Sequence, residues 1–360
     1  MTVIALSGEP GCGSTTTGKL LAKALGLDFF SVGAYTKEVA LRTHREPKET
    51  RRASEFWRSK KGSSKKFHKS SDAMQKSLAR KGNIVIDGKL SVHMLKNIAD
   101  AKIWLKAPLS VRAKRVANRD KIPLTDARKI VDEKENLERT NWKRIYGFDY
   151  FRQEREADIV INVGSKTPEQ IVNLVISRIK RVFIVHGWEG RPNKDWYPYV
   201  KKELEKKGYV VDVLSMPSPD LPKLKQWVPY LAKSIGEPNE NTFLIGHSAG
   251  VITILKYFEH LPHGKKTGGC VLVAGWTNSL GYKELENFCK KPLNWQRIRQ
   301  HCKRFVIIHS DNDPYVPMTH GMIFKKHLKG RLIIEHNKGH MTDEEGVKKL
   351  PSVVKSIENF

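Results

Sequence analysis

Short, almost wholly apolar runs recur along the chain, and between them lie stretches whose apolar residues fall at helical spacing. In the first half the runs are "TVIALSG" (2–8), "GNIVIDG" (82–88), "AKIWLKA" (101–107) and "ADIVINV" (157–163), and the helix-like stretches are 15–27, 108–120 and 167–180. Runs apolar at every position fit strands covered on both faces, so the alternation predicts a parallel sheet flanked by helices. The pattern restarts at "RVFIVHGWEG" (181–190) and continues through "YVVDVLSMP" (209–217), "TFLIGHS" (242–248), "GCVLVAGW" (269–276), "RFVIIHSDND" (304–313) and "RLIIEHNKGH" (331–340). The expectation is therefore two α/β domains, 1–180 and 181–360, with no Pro/Gly/Ser-rich linker between them. A chain of 360 residues is long enough for each to bury its own core.

Composition narrows the class. No uncharged apolar run approaches the roughly 18 residues of a membrane span, and the N-terminal "MTVIALSGEP" lacks the basic start of a secretory signal. These features predict a cytoplasmic protein without a membrane partner. Cys12, Cys270, Cys289 and Cys302 form no CxxC pair, which predicts reduced thiols, and no zinc-ligand spacing is present. The net charge is +27, with 37 Lys and Arg against 20 Asp and Glu in residues 1–180, and 28 against 18 in 181–360. Its densest block, 42–69, carries eleven Lys or Arg and three Glu, a field that attracts phosphates or nucleic acid, although no RNA- or DNA-binding motif accompanies it.

Two glycine-rich turns carry candidate chemistry. The first, "GEPGCGST" (8–15), has the glycine spacing of a P-loop between a strand and a helix. Successive amides and the helix N-terminus can wrap a phosphate chain there, and the Thr15 hydroxyl can reach magnesium. Ser14 stands where that motif has Lys, and Lys19 lies a full turn further along the helix.

The segments "SGEPGCGSTTTGKLLAKALGLDFFSVG", "DAMQKSLARKGNIVIDGKL", "MLKNIADAKIWLKAPLSVRAKRVANRD", "WKRIYGFD" and "ADIVIN" resemble the archaeal-type cytidylate kinases over most of residues 1–180. That family also has a hydroxyl residue at the position of Ser14. The resemblance implies a P-loop nucleoside monophosphate kinase fold and phosphoryl transfer from ATP to CMP or dCMP with Mg2+. It assigns Gly8, Gly11, Gly13, Ser14, Thr15 and Thr16 to the donor phosphates, and Arg115 and Arg119 to the start of the lid. Ser31, Gly33, Lys37, Asp72, Asp87, Gly88 and Lys89 fall in segments that line the monophosphate site. This chain departs from the family in having Lys37 and Lys89 where Arg is usual, and Thr140 and Asn141 where lid arginines precede the aromatic at Trp142. Such departures leave open a domain that binds nucleotide or RNA and targets or regulates the second half.

The second turn is Gly246-His247-Ser248-Ala249-Gly250, a G-x-S-x-G between the strand-like "NTFLI" and a helix-like segment with Val251, Ile254, Leu255 and Phe258 at helical spacing. A nucleophilic serine needs a base and an acid that orients the base. In the α/β-hydrolase order these follow as acid, then His. Asp313 or Asp311 follows one downstream strand, and His340 follows the next. An oxyanion hole would use the amide of Ala249 and that of Trp188, in the loop after the first strand. His186 and His247 read as structural histidines.

The segments "VHGWEG", "DWYPYVKKELEKKGYVVDVLSMPSPDLPKLKQWVPYL", "LIGHSAG", "SDNDPYVP" and "KGHM" resemble the small serine hydrolases of retinoblastoma-binding-protein-nine and YdeN type across 181–360. In that family the acid is the Asp preceding Pro, which implies Asp313. Trp196, Tyr197 and Trp227 match its aromatic positions, read here as packing. The 65 residues from Ser248 to Asp313 leave little room for a large lid, favouring a small ester, thioester or amide and no cofactor in this half.

Overall fold

The structure is a computed structural model, in which residues 2–43 and 64–360 are described. Of the basic block 42–69, read as a field that attracts phosphates or nucleic acid, residues 44–63 lie outside the described residues. The chain divides into two compact units, Met1–Ile179 and Lys180–Phe360.

In the first unit β1 (Val3–Gly8), β2 (Asp28–Ser31), β3 (Ile84–Asp87), β4 (Ala101–Lys106) and β5 (Ile159–Asn162) form a parallel sheet in the order β2-β3-β1-β4-β5. The central β1 is buried at every residue, and Val3 and Ile4 register against Ile84 and Ala101. β2 is a difference from the sequence expectation. Its residues Asp28, Phe29 and Phe30 are exposed or half-buried at the sheet edge, so it carries no fully apolar run to announce it.

In the second unit β6 (Arg181–Val185), β7 (Val210–Leu214), β8 (Thr242–His247), β9 (Gly269–Val273), β10 (Phe305–Ser310) and β11 (Arg331–Glu335) are parallel in the order β11-β10-β9-β8-β6-β7. Alternate side chains of β6 feed two apolar layers. Phe183 and Val185 pack with Trp227, Phe258 and Phe288, whereas Val182 and Ile184 pack with Trp196, Tyr197 and Ile357. All four cysteines are free thiols. Among the described residues no helix is long and apolar enough to cross a membrane.

Because all strands of a sheet run the same way, their C-terminal ends meet on one edge, where the functional loops gather. The helix after β8, Ala249–His260, sits at the centre of that arrangement and is buried from Ala249 through Phe258 on every side. The amphipathic spacing anticipates one buried face. The other faces are covered by the helices Leu224–Ile235 and Trp295–His301. Its entry leaves no room for side chains. A Cβ on Gly250 would lie 2.1 Å from the Val185 carbonyl oxygen, and one on Gly246 would lie 2.8 Å from the Val251 nitrogen. Gly250→Ala is therefore expected to destabilise the second unit by about 3 kcal/mol or more, read as a lower denaturant midpoint, because its clash is with backbone rather than with a side chain that can turn away.

Candidate active sites

Ser248 follows β8 directly and holds φ 50°, ψ −116°, a backbone conformation that a residue with a Cβ rarely adopts. It is kept there by its amide donating to the Val273 carbonyl (2.9 Å) and its own carbonyl accepting from Val251 (3.0 Å). A Cβ on Gly187, in the loop after β6, would sit 3.1 Å from the Ser248 Cβ, so that loop passes directly beside the serine. The amides of Trp188 and Ala249 donate no hydrogen bond among the described residues. The Trp188 indole donates to the Asp220 carbonyl (3.0 Å), which anchors the loop.

Asp313 and His340 come together at the ends of neighbouring strands. Asp313 Oδ1 accepts from the amides of Tyr315 and Val316 (2.9 Å each), leaving Oδ2 to accept from His340 Nδ1 (2.8 Å). Burial pushes the Asp313 carboxyl up, but the hydrogen bond and charge of His340 and those two amides outweigh it and hold the group below its ordinary value. Asp311 is engaged elsewhere, accepting from His336 Nδ1 and from the Asn337 amide (2.9 Å). The 336–340 loop is stitched to the end of β10 through Lys338 N to Ser310 Oγ (3.0 Å) and Gly339 N to Asn312 Oδ1 (2.9 Å).

The remaining histidines of this edge are buried. His186 Nδ1 donates to Gly187 O (2.7 Å) and its Nε2 accepts from Met216 N (3.2 Å). His247 lies between the Tyr197 hydroxyl (2.6 Å from Nδ1) and the His340 carbonyl (2.9 Å from Nε2). His309, fully buried on β10, has no hydrogen bond to either ring nitrogen among the described residues.

In the first unit, the P-loop residues, Ser31, Gly33, Lys37, Asp72, Asp87, Gly88, Lys89, Arg115 and Arg119 all line one cavity of about 820 Å³. Gly13 has φ 90° and caps the helix Ser14–Leu25 without a side-chain bond, so the first-turn amides open to the cavity. Thr15 Oγ1 donates to Asp87 Oδ2 (2.7 Å), which places a hydroxyl and a carboxylate together at the cavity. Lys89 Nζ donates to the Gly8 carbonyl (2.8 Å). Arg115 spans Cys12 O (2.7 Å) and Lys166 O (3.0 Å), and Arg119 pairs with Asp120 (2.7 Å).

Sequence reasoning missed one wall. Lys134, Glu138, Trp142 and Tyr146, spaced by four on the helix Leu124–Tyr146, line the cavity opposite His68, Asp72 and Gln75 of the helix Lys65–Lys81. The i, i+4 stripe was the available signal. Tyr146 donates to Asp72, whose carboxyl burial holds above its ordinary value. Thr140 and Asn141 do not line the cavity.

The first unit thus has the P-loop kinase architecture, and the second has the strand, serine and helix turn of an α/β-hydrolase with its acid and histidine downstream. A serine hydrolase family model matches residues 182–359, and a cytidylate kinase-like family model matches 3–165. The Bacillus subtilis protein YdeN is 32% identical over 182 residues, 50% of this chain and 96% of YdeN. The cytidylate kinase of Pyrobaculum aerophilum is 37% identical over 149 residues, 41% of this chain and 77% of that enzyme. The cytidylate kinase of Pyrococcus horikoshii is 33% identical over 177 residues, 49% and 88% of the two chains. The crystal structure of the ydeN gene product covers 50% of this chain and 97% of its own at 31% identity and TM-score 0.49. The chain belongs to the cytidylate kinase-like family in its first half and to the serine hydrolase family in its second, as the resemblances imply.

Burial makes acid a specific threat to the second unit. It lowers His309 to a pKa of about 4 and His247 to about 3 from an ordinary 6.5. Both are neutral in the fold, whereas the unfolded chain binds their protons below 6.5, so stability is full above that pH and falls as pH drops toward 4. At about 1.4 kcal/mol per unit, His309 alone accounts for about 3 kcal/mol. Denaturant midpoints of the second unit's transition should fall between pH 7 and pH 4.5, and His309→Leu should flatten that slope.

Proposed function

We propose that the chain is a bifunctional fusion, divided at residues 180–181, whose second half hydrolyses a small ester, thioester or amide. The observation that carries this is the Asp313–His340 hydrogen bond of 2.8 Å on the loop tied to the residue preceding Ser248. Ser248 Oγ attacks the carbonyl carbon while His340 Nε2 takes its proton. The amides of Trp188 and Ala249 receive the oxyanion, and the leaving group departs with the proton from His340. Water then attacks the acyl-serine, giving its proton to His340 and releasing the acid as Ser248 is reprotonated. Asp313 stays ionised throughout and stabilises the imidazolium.

The first half is proposed to transfer the γ-phosphoryl group of ATP to CMP or dCMP. Its support is the pairing of Thr15 with Asp87 beneath uncapped helix amides. The P-loop from Gly8 to Thr16 would hold the donor phosphates, and Thr15 with Asp87 would hold Mg2+, which would supply neutralising charge. Lys37, Lys89 and Arg115 add positive charge around the transferred group, and Asp72 faces the acceptor.

Fluorophosphonate should label the wild type and not Ser248→Ala, and Asp313→Asn should lower kcat on p-nitrophenyl acetate by about 10⁴. Labelling that persists without Ser248 would overturn the assignment. ADP release from ATP should depend on added CMP or dCMP and fall about 10²-fold or more in Thr15→Ala. Release independent of any nucleoside monophosphate would overturn the kinase reading.

A further inference from the structure

His247 precedes the nucleophile and Tyr197 lies in the loop and helix after β6, yet neither is simply packing. His247 Nε2 is 2.9 Å from the backbone carbonyl of His340, an atom that only accepts. That single contact sets the tautomer: Nε2 carries the proton, so Nδ1 must accept, and the donor 2.6 Å away is the Tyr197 hydroxyl. The chain of bonds therefore has one direction, from Tyr197 through His247 to His340. Asp195 also meets the Tyr197 hydroxyl. Burial, reinforced by the Asp343 carboxylate, holds its carboxyl above the ordinary range, opposed by its bonds with the Asp343 amide and the Tyr197 hydroxyl.

Gly339 and Met341, on either side of His340, have φ 54° and 59°, and for Met341 that conformation is unfavourable. Asp313 grips the His340 ring through Nδ1, and the amides of Lys338 and Gly339 tie the loop ahead of it to the end of β10, so the bond from His247 is the one that holds the His340 carbonyl itself. The Tyr197 and His247 rings are buried, and the His247 and His340 rings lie 5.2 Å apart, so the brace is rigid.

We propose that Tyr197 and His247 are positioning residues for the base: they pin the His340 backbone carbonyl to the nucleophile turn while Asp313 pins its ring. This rests on the acyl-hydrolase reading of Ser248, Asp313 and His340. It ties the placement of the base to the placement of the nucleophile, because His247 and Ser248 share a peptide bond.

The test uses the full chain. Turnover of p-nitrophenyl acetate is normalised to sites titrated with fluorophosphonate, and the downfield proton resonance of the His340 Nδ1–H is recorded in parallel. Tyr197→Phe, which removes one oxygen from a buried ring, should lower kcat per titrated site about tenfold with KM within twofold, and should broaden or shift that resonance. His247→Gln, which keeps a donor toward the carbonyl, should retain more kcat per site than His247→Leu, a comparison that stands if Tyr197→Phe folds poorly. Unchanged kcat per site together with an unchanged resonance would overturn the proposal, as would a loss confined to the number of titratable sites. If the wild type takes no fluorophosphonate but the resonance still depends on Tyr197, the hydrolase reading fails and the positioning role stands.

Discussion

The second half of the molecule depends on a contact that no side chain could make, that of Gly250 with the Val185 carbonyl. With a Cβ excluded there, the helix Ala249–His260 can begin immediately after β8, hard against β6. The chain then has one residue in which to turn from strand to helix, and Ser248 absorbs the change at φ 50°. Left-handed backbone costs a residue with a Cβ roughly 1–2 kcal/mol, and here it is over-determined by the bonds to Val273 and Val251 and by a helix buried through Phe258. The same turn leaves Ser248 half-buried between the buried His247 and Ala249, leaves the Ala249 amide at a helix N-terminus, and directs His247 beneath the loop that carries His340. The strained Ser248, the open Ala249 amide and the His247–His340 contact are three consequences of one packing constraint.

The first half solves a related problem with the opposite choice of residue. In the loop after β1 the left-handed positions are Gly11 and Gly13 rather than a residue with a functional side chain, so the turn presents amides instead of a hydroxyl. Cations at that mouth are held on backbone oxygens: Lys89 on Gly8, Arg115 on Cys12 and Lys166. A phosphate entering the cavity offers stronger acceptors than those carbonyls, so these side chains have a partner to exchange without a change of fold.

The strands were legible because a parallel strand covered on both faces is written as a continuous apolar run, as in Val3–Gly8 and Phe305–Ser310. Ser248, Asp313 and His340 could be singled out because each lies shortly after a strand-like run, and the acid was narrowed to Asp313 by family likeness, not by spacing. β2 was obscured because it is a four-residue strand that opens on Asp28 and has no aliphatic run, whereas the edge strand β11 has Leu332, Ile333 and Ile334. The cavity wall formed by Lys134, Glu138, Trp142 and Tyr146 was written at four-residue spacing, but as mixed charge and aromatics, which reads as an ordinary surface helix. The Tyr197–His247 bond was not legible at all: it joins residues 50 positions apart through a tautomer that a third residue's carbonyl dictates.

Helix geometry also changes the meaning of the missing arginines. At 100° per residue, Thr140 stands about 200° around the helix from Glu138, whose side chain faces the cavity, so a side chain at 140 points away from it. Lys134, one turn before Glu138, does face it. Burial, together with the charges of Lys89, Lys37 and Arg119, lowers its ammonium below the ordinary range, while Glu138 opposes them. A cation crowded by other cations is stabilised by an incoming polyanion more than an isolated one would be. On this wall the cation that lines the cavity is Lys134, 3.9 Å from Glu138, and the residue at 140 does not by itself measure what the cavity has lost.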